Sequence, residues 1–283
     1  ILLSKFVKGK GVKGAVGTSA SYHKLLSKKV SLDQFEKQIY FLQHNFDFGG
    51  CGTWLSRFKD SKTHYVTKAY KNPEKIRAAL LYKPASIPNA TAMLRLAEIR
   101  KYGLRYNESL KISEDYDFIF NCSRHLKFSN IQKILYRYRD SETSIMKTFE
   151  DQEEQTFNIL KTVYKKALAS LDIIATEEQL RLHHDICSSK ILSKFSEYEA
   201  CYYWLESLKL KNDLKREYNI KVFNHIITEQ FFFLSKKASS FGLKTLWFFV
   251  RKSLKNKWLK RELSELILIK REVKKRLDDI KET

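Results

Sequence analysis

The sequence predicts an α/β layer followed by a mainly α-helical region. Through the first half of the 283 residues, short apolar runs alternate with stretches of helical periodicity, as in strands and helices layered on one another. From about Phe149 onward the apolar residues fall almost wholly at helical spacing. Only three prolines and nine glycines occur, which disfavours long loops and disorder. With 43% hydrophobic and 13% aromatic residues the chain can bury a sizeable core, and two packed regions are expected, 1–148 and 149–283.

Taken in order, the pattern predicts a helix over Leu32 to His44 and a strand around Phe48 to Leu55. A polar excursion at Arg57 to Tyr65 and a helix near Glu74 to Leu81 follow. Pro84 and Pro88 bracket a loop that either delivers Asn89 and Thr91 to a cleft or uses them to cap its own turn. Met93 and Leu94 then return to the core. Leu96 to Lys101 reads as a short helix stopped at Gly103, and Asp115 to Arg124 as another. Ile134 to Tyr138 alternates like an edge strand, with Arg139 projecting from its end either toward phosphate or into solvent.

In the second half, Phe157, Leu160, Val163, Tyr164 and Leu168 share one helical face, and Thr176 opens a further helix with a capping arrangement reaching Gln179. His183 and His184 are adjacent, so they face different sides of that helix and read as packed core histidines rather than a metal pair. Phe231, Phe232 and Phe233 read as core, as does the run Leu246 to Val250. A second reading applies from Leu243 to Trp258, where apolar residues alternate with Lys244, Arg251, Lys252, Lys255 and Lys257. That is the pattern of a basic amphipathic segment lying on a membrane, with Lys252, Lys255 and Lys257 as its lipid contacts. Leu263, Leu266, Ile267, Val273, Leu277 and Ile280 mark one face of a final helix.

The chemistry-bearing stretch is Ser113-Glu114-Asp115-Tyr116-Asp117-Phe118, three carboxylates around an aromatic at the start of an apolar run. Asn89, Met93 and Arg95 lie upstream, Gly103 and Tyr106-Asn107-Glu108 between, and Tyr138-Arg139 downstream. This order resembles the acceptor half of family 2 glycosyltransferases. The stretch from Val30 to Gln38 is similar to that family's helix after its metal-binding aspartates. The segments Phe149–Tyr164, Thr176–His183 and Tyr203–Leu205 resemble the helical extension of bacterial members that build surface polysaccharides.

The resemblance implies a partial GT-A-like, Rossmann-like layer and transfer of a sugar from a nucleotide-sugar donor, a UDP-sugar, to a glycan or lipid-linked acceptor. A carboxylate within reach of the acceptor hydroxyl takes its proton as the new bond forms. Asp115 matches the family's base, and Glu114 lies beside it. Asn89, Thr91, Arg95, Asp117 and Arg139 are expected to bind donor or acceptor. The local alternative is that Ser113 caps a helix and the carboxylates favour its positive end.

The family also implies manganese or magnesium held by an Asp-x-Asp motif, yet its place before Val30 is taken by Lys28 and Lys29. An ammonium has no lone pair for a cation, so these lysines are expected at most to contact diphosphate. A sugar-nucleotide domain takes on the order of a hundred residues, and the glycine-rich stretch Gly9 to Gly17 is neither a P-loop nor a dinucleotide fingerprint. Together with a first residue of Ile1, this leads to the expectation of a fragment or processed product lacking most of the donor-binding half.

Four cysteines without paired spacing point to reduced thiols in a cytoplasmic protein rather than a zinc site or disulfide framework. A signal peptide is not expected from the sequence, and no run of about eighteen apolar residues is present in it. The net charge of +21 favours a polyanionic partner. Each lysine near an anionic leaflet contributes about 1 kcal/mol, and nucleic acid competes through its phosphates, though no nucleic-acid module is recognisable. A second class therefore stays open, a non-catalytic basic helical protein on anionic membrane or nucleic acid.

Overall fold

The computed structural model describes residues 2–3, 32–59, 62–83, 86–140, 152–188, 190–255 and 269. The chain is a mixed α/β protein in two compact units, Ile1–Val163 and Tyr164–Thr283.

The first unit is organised by β2 (Phe48–Lys59), the strand on which the rest of a five-stranded mixed sheet is built. Its start reads Gly49-Gly50-Cys51-Gly52, and the missing side chains let neighbouring strands close in. A Cβ on Gly50 would lie 2.7 Å from the Met93 carbonyl oxygen, and one on Gly52 would lie 2.3 Å from Asn130 Oδ1. On one side β5 (Lys127–Arg139) runs parallel to β2, from Phe48 opposite Lys127 to Phe58 opposite Arg139. On the other, β4 (Met93–Leu94) pairs antiparallel with Gly50 and Cys51, and β1 (Leu2–Leu3) pairs antiparallel with β4. The β2–β5 register shifts around Thr53, Trp54 and Leu55. There the Gln132 amide donates to the carbonyls of Ala69 and Asn130, and the Ala69 carbonyl, just beyond the sheet, also accepts from the Trp54 indole N–H.

The expected polar excursion is instead a hairpin: β3 (Lys62–Thr67) pairs antiparallel with Leu55–Lys59. Side chains such as Arg57 and Lys59 stay exposed, so backbone bonding rather than apolar burial carries the pairing. Likewise β5 is more than twice the length expected from Ile134 to Tyr138. Its first half, Phe128-Ser129-Asn130, is buried through polar residues that bond outward to loops. Ser129 donates to the Lys71 carbonyl, and Asn130 donates to those of Tyr70 and Ser86.

Helix α1 (Leu32–His44) lays Phe35 and Leu42 onto the sheet, where they cluster with Cys51 and Met93. Its buried Gln38 donates to the carbonyls of Cys51 and Thr91, tying helix, strand and the following loop together. Helix α2 (Pro73–Ala79) starts with proline at its first turn and the Asn72 side chain accepting from the Lys75 N–H at 3.0 Å. A 3₁₀ turn at Asn89–Thr91 leads into β4, and α3 (Leu96–Lys101) follows. That helix ends as expected: Gly103 is left-handed, its N–H donates to Arg100 and that of Leu104 to Ile99. Helix α4 (Glu114–Ser123) then delivers the chain into β5.

The unit boundary falls within α5 (Glu153–Ala169). The second unit contains α6 (Glu177–Cys187), α7 (Phe195–Lys215), α8 (Ile220–Lys237) and α9 (Leu243–Lys255). The Thr176 capping box forms in both directions with Gln179. His183 and His184 are buried, near a Trp204 indole N–H and the Tyr164 hydroxyl respectively, which is the core role the sequence predicts. Tyr198, Tyr202, Phe231, Phe248 and Phe249 form an aromatic core, with Tyr202 and Phe231 centroids 4.8 Å apart. Two residues expected in that core are exposed, Phe233 and Trp247. Among the described residues no helix is long and apolar enough to cross a membrane.

Candidate active site

Glu114 and Asp115 occupy the first two positions of α4 and are half-buried, while Asp117, one turn in, is fully buried. Helix starts suit carboxylates, because free N–H groups and the positive end of the macrodipole stabilise negative charge there. Asp115 Oδ1 accepts the Tyr116 N–H at 2.8 Å. Asp117 Oδ2 accepts from the Asn121 amide at 3.2 Å. Ser113 precedes them in a left-handed conformation, φ 60° and ψ 18°, and its hydroxyl makes no capping bond. The local alternative of a serine cap therefore fails. A non-glycine residue at positive φ is uncommon, and here it turns the chain into the helix with the Asp115 carboxylate at its mouth.

Tyr116 fastens that helix start from beneath. Its phenol is buried and donates to the Leu80 carbonyl at 2.6 Å, just beyond the end of α2. Across the helix, Tyr106 stacks on Phe118 with ring centroids 4.0 Å apart. Burial, and then the nearby Asp115, Cys122 and Glu114, raise the Tyr106 phenol above its ordinary range, so it stays protonated. Tyr106 was not a candidate from sequence; its signal was its place in the turn before Asn107, whose side chain accepts from the Ser109 N–H and hydroxyl.

Other candidates go elsewhere. Thr91 is buried, its hydroxyl accepting from the Thr53 N–H at 3.0 Å and donating to the Pro88 carbonyl at 2.9 Å. It is a staple between β2 and the 3₁₀ turn, with no face on a cleft. Asn89 opens that turn, half-buried, with its carbonyl accepting from Ala92.

Arg95 is a clamp. Its guanidinium donates to the carbonyls of Phe48 at 2.8 Å, Asn45 at 3.3 Å and Leu42. With His44 bonded to the Tyr40 carbonyl and the Asn45 amide donating to that of Phe41, side chains meet three carbonyls near the end of α1, and two of them, Phe41 and Leu42, are among the last four that a helix cannot satisfy itself. Arg139 is an exposed strand end; next to it Asp140 takes two bonds from Arg57, at 2.9 and 2.6 Å.

Lys28, Lys29 and Lys257 lie outside the described residues, as does the side chain of Lys255. Lys252 is half-buried, donates to the Tyr203 hydroxyl at 3.0 Å and sits over the rings of Tyr202, Tyr203 and Phe248. These contacts join α9 to α7. A cleft of about 190 Å³ opens at the opposite end of α4, lined by Arg77, Ser123, Arg124, His125 and Lys127, so the carboxylates have no part in it.

Among the described residues no group of three or more His, Cys, Asp or Glu side chains could hold a metal ion. Comparison with known protein families, curated proteins and solved structures gives no match.

Proposed function

We propose that this chain is a glycosyltransferase, or the acceptor-binding part of one, of the GT-A type. The observation that supports the reading best is the half-buried Asp115 carboxylate at the mouth of α4, held by a backbone N–H on one oxygen. The motif order on a mixed sheet, with the 3₁₀ turn, β4, α3, α4 and β5 in succession, supports it further. Asp115 takes the proton of an acceptor hydroxyl as that oxygen bonds to the anomeric carbon, while the bond to the nucleoside diphosphate breaks and the diphosphate departs. Protonated Tyr106 supplies a donor to the acceptor or to the base, and buried Asp117 and Tyr116 keep the helix start in place. No step is assigned to a metal. The substrates are a nucleotide sugar, a UDP-sugar first among them, and a glycan or lipid-linked acceptor.

The test is release of nucleoside diphosphate from a panel of nucleotide sugars in the presence of glycan acceptors. Asp115→Asn should lower turnover by about 10²-fold or more, the usual worth of a general base, with an unchanged unfolding midpoint. Equal turnover by wild type and Asp115→Asn would eliminate Asp115 as the base. Silence of the wild type on every donor would favour the non-catalytic class.

A further inference from the structure

Helix α9 carries apolar side chains on two faces. One holds Thr245, Phe248, Phe249 and Ser253 and is buried in the second unit. The other is open: Leu243, Trp247 and Leu254 are 71%, 61% and 60% exposed. At helical spacing these three and the half-buried Val250 fall within about 60° of one another, forming one stripe along the helix. Arg251 lies over the Trp247 ring at 5.0 Å and borders the stripe, while the ammonium of exposed Lys244 lies over the Phe195 ring of α7 at 4.2 Å. The 13 residues of α9 include Lys244, Arg251, Lys252 and Lys255 and no Asp or Glu.

We propose that α9 docks on an anionic lipid surface through Leu243, Trp247 and Leu254, with Arg251 at the headgroups. Charge decides the occupant: a helix with no carboxylate, and with a guanidinium over the tryptophan at the centre of its open stripe, matches a negatively charged interface. There an indole sits at the boundary of the apolar layer and guanidinium groups meet phosphate. The face differs from the one the sequence pattern predicted, since Lys252 lies on the side of α9 that meets Tyr202 and Tyr203 of α7. The proposal does not rest on the transferase reading, and its readout is independent of turnover.

The experiment is cosedimentation of the full chain with vesicles of phosphatidylcholine containing about 30% phosphatidylglycerol, and with phosphatidylcholine alone. Trp247→Ser combined with Leu254→Ser should weaken binding to the anionic vesicles by more than about tenfold. Leu214→Ser, on an 83% exposed residue of α7, should leave it unchanged. All variants should keep the wild-type unfolding midpoint, because the changed residues are exposed, and added salt should weaken binding. The proposal is overturned by no binding to the anionic vesicles, by equal binding to both vesicle types, or by full binding of the double variant. It is equally overturned by a wild-type dimer that the double variant dissolves, which would mean that a second copy covers the stripe.

Discussion

Replacing Arg95 by methionine keeps most of the side chain's length and apolar stem and removes only the guanidinium. In the folded chain that group donates to the carbonyls of Phe48, Leu42 and Asn45, closing the end of α1 against the start of β2. A hydrogen bond to a charged group contributes about 1.5–3 kcal/mol, and the acceptors left behind carry a desolvation cost. Arg95 is half-buried, so water can replace part of what is lost, and a net loss of about 2–3 kcal/mol is expected. In a unit of this size that lowers Tm by roughly 5–10 °C. Arg95→Lys should recover less than half, because one ammonium cannot span carbonyls that a planar fork reaches together. Thermal unfolding followed by far-UV circular dichroism provides the measurement. A Tm for Arg95→Met within about 1 °C of wild type, together with lost nucleotide-sugar or acceptor binding, would refute the clamp and return Arg95 to the site.

Two further outcomes follow from packing and burial. Gly50→Ala should cost about 1–3 kcal/mol in urea unfolding, since its Cβ meets the Met93 carbonyl and the Leu94 and Phe128 side chains; an unchanged or raised midpoint, as backbone entropy alone would give, would contradict the close approach. Cys51 is buried and its thiol is pushed up to about 12 from 9.0, chiefly by burial. The protonated thiol therefore contributes stability that is complete below pH 9 and is lost as pH rises toward 12, because the unfolded chain ionises first. From pH 9 to 10.5 this amounts to about 2 kcal/mol, so unfolding midpoints of Cys51→Ala should fall less steeply over that window than those of wild type; parallel curves would exclude the linkage.

The elements that were legible in the sequence have local causes. Helix α1 follows from its apolar periodicity, the end of α3 from Gly103, the start of α6 from Thr176 and Gln179, and the buried histidines from their place on an apolar helix. The candidate site was legible in part. Glu114 and Asp115 stand at a helix start as their pattern implied, but Thr91 and Arg95, equally polar and equally placed in the motif order, are taken up by backbone partners 38 and up to 53 residues away. Nothing in a polar residue's type says whether its donors are spent inside the fold or offered to a ligand, since that depends on which carbonyls the tertiary structure brings within reach.

The sequence by itself determined the α/β-then-helical order, the carboxylates opening α4 and the basic character of the chain, because composition, caps and periodicity act over a few residues. Only the tertiary structure decided that Arg57 to Tyr65 belongs to a hairpin, that Tyr106 stands beside Asp115, and that α9 turns Lys252 toward α7 and Trp247 out. Each depends on a pairing or packing partner distant in the chain: β2 with β3 and β5, Tyr106 with Phe118, and Lys252 with the rings of α7. On α9 both faces carry apolar side chains, so periodicity could mark the helix but could not choose which face the aromatic core would cover.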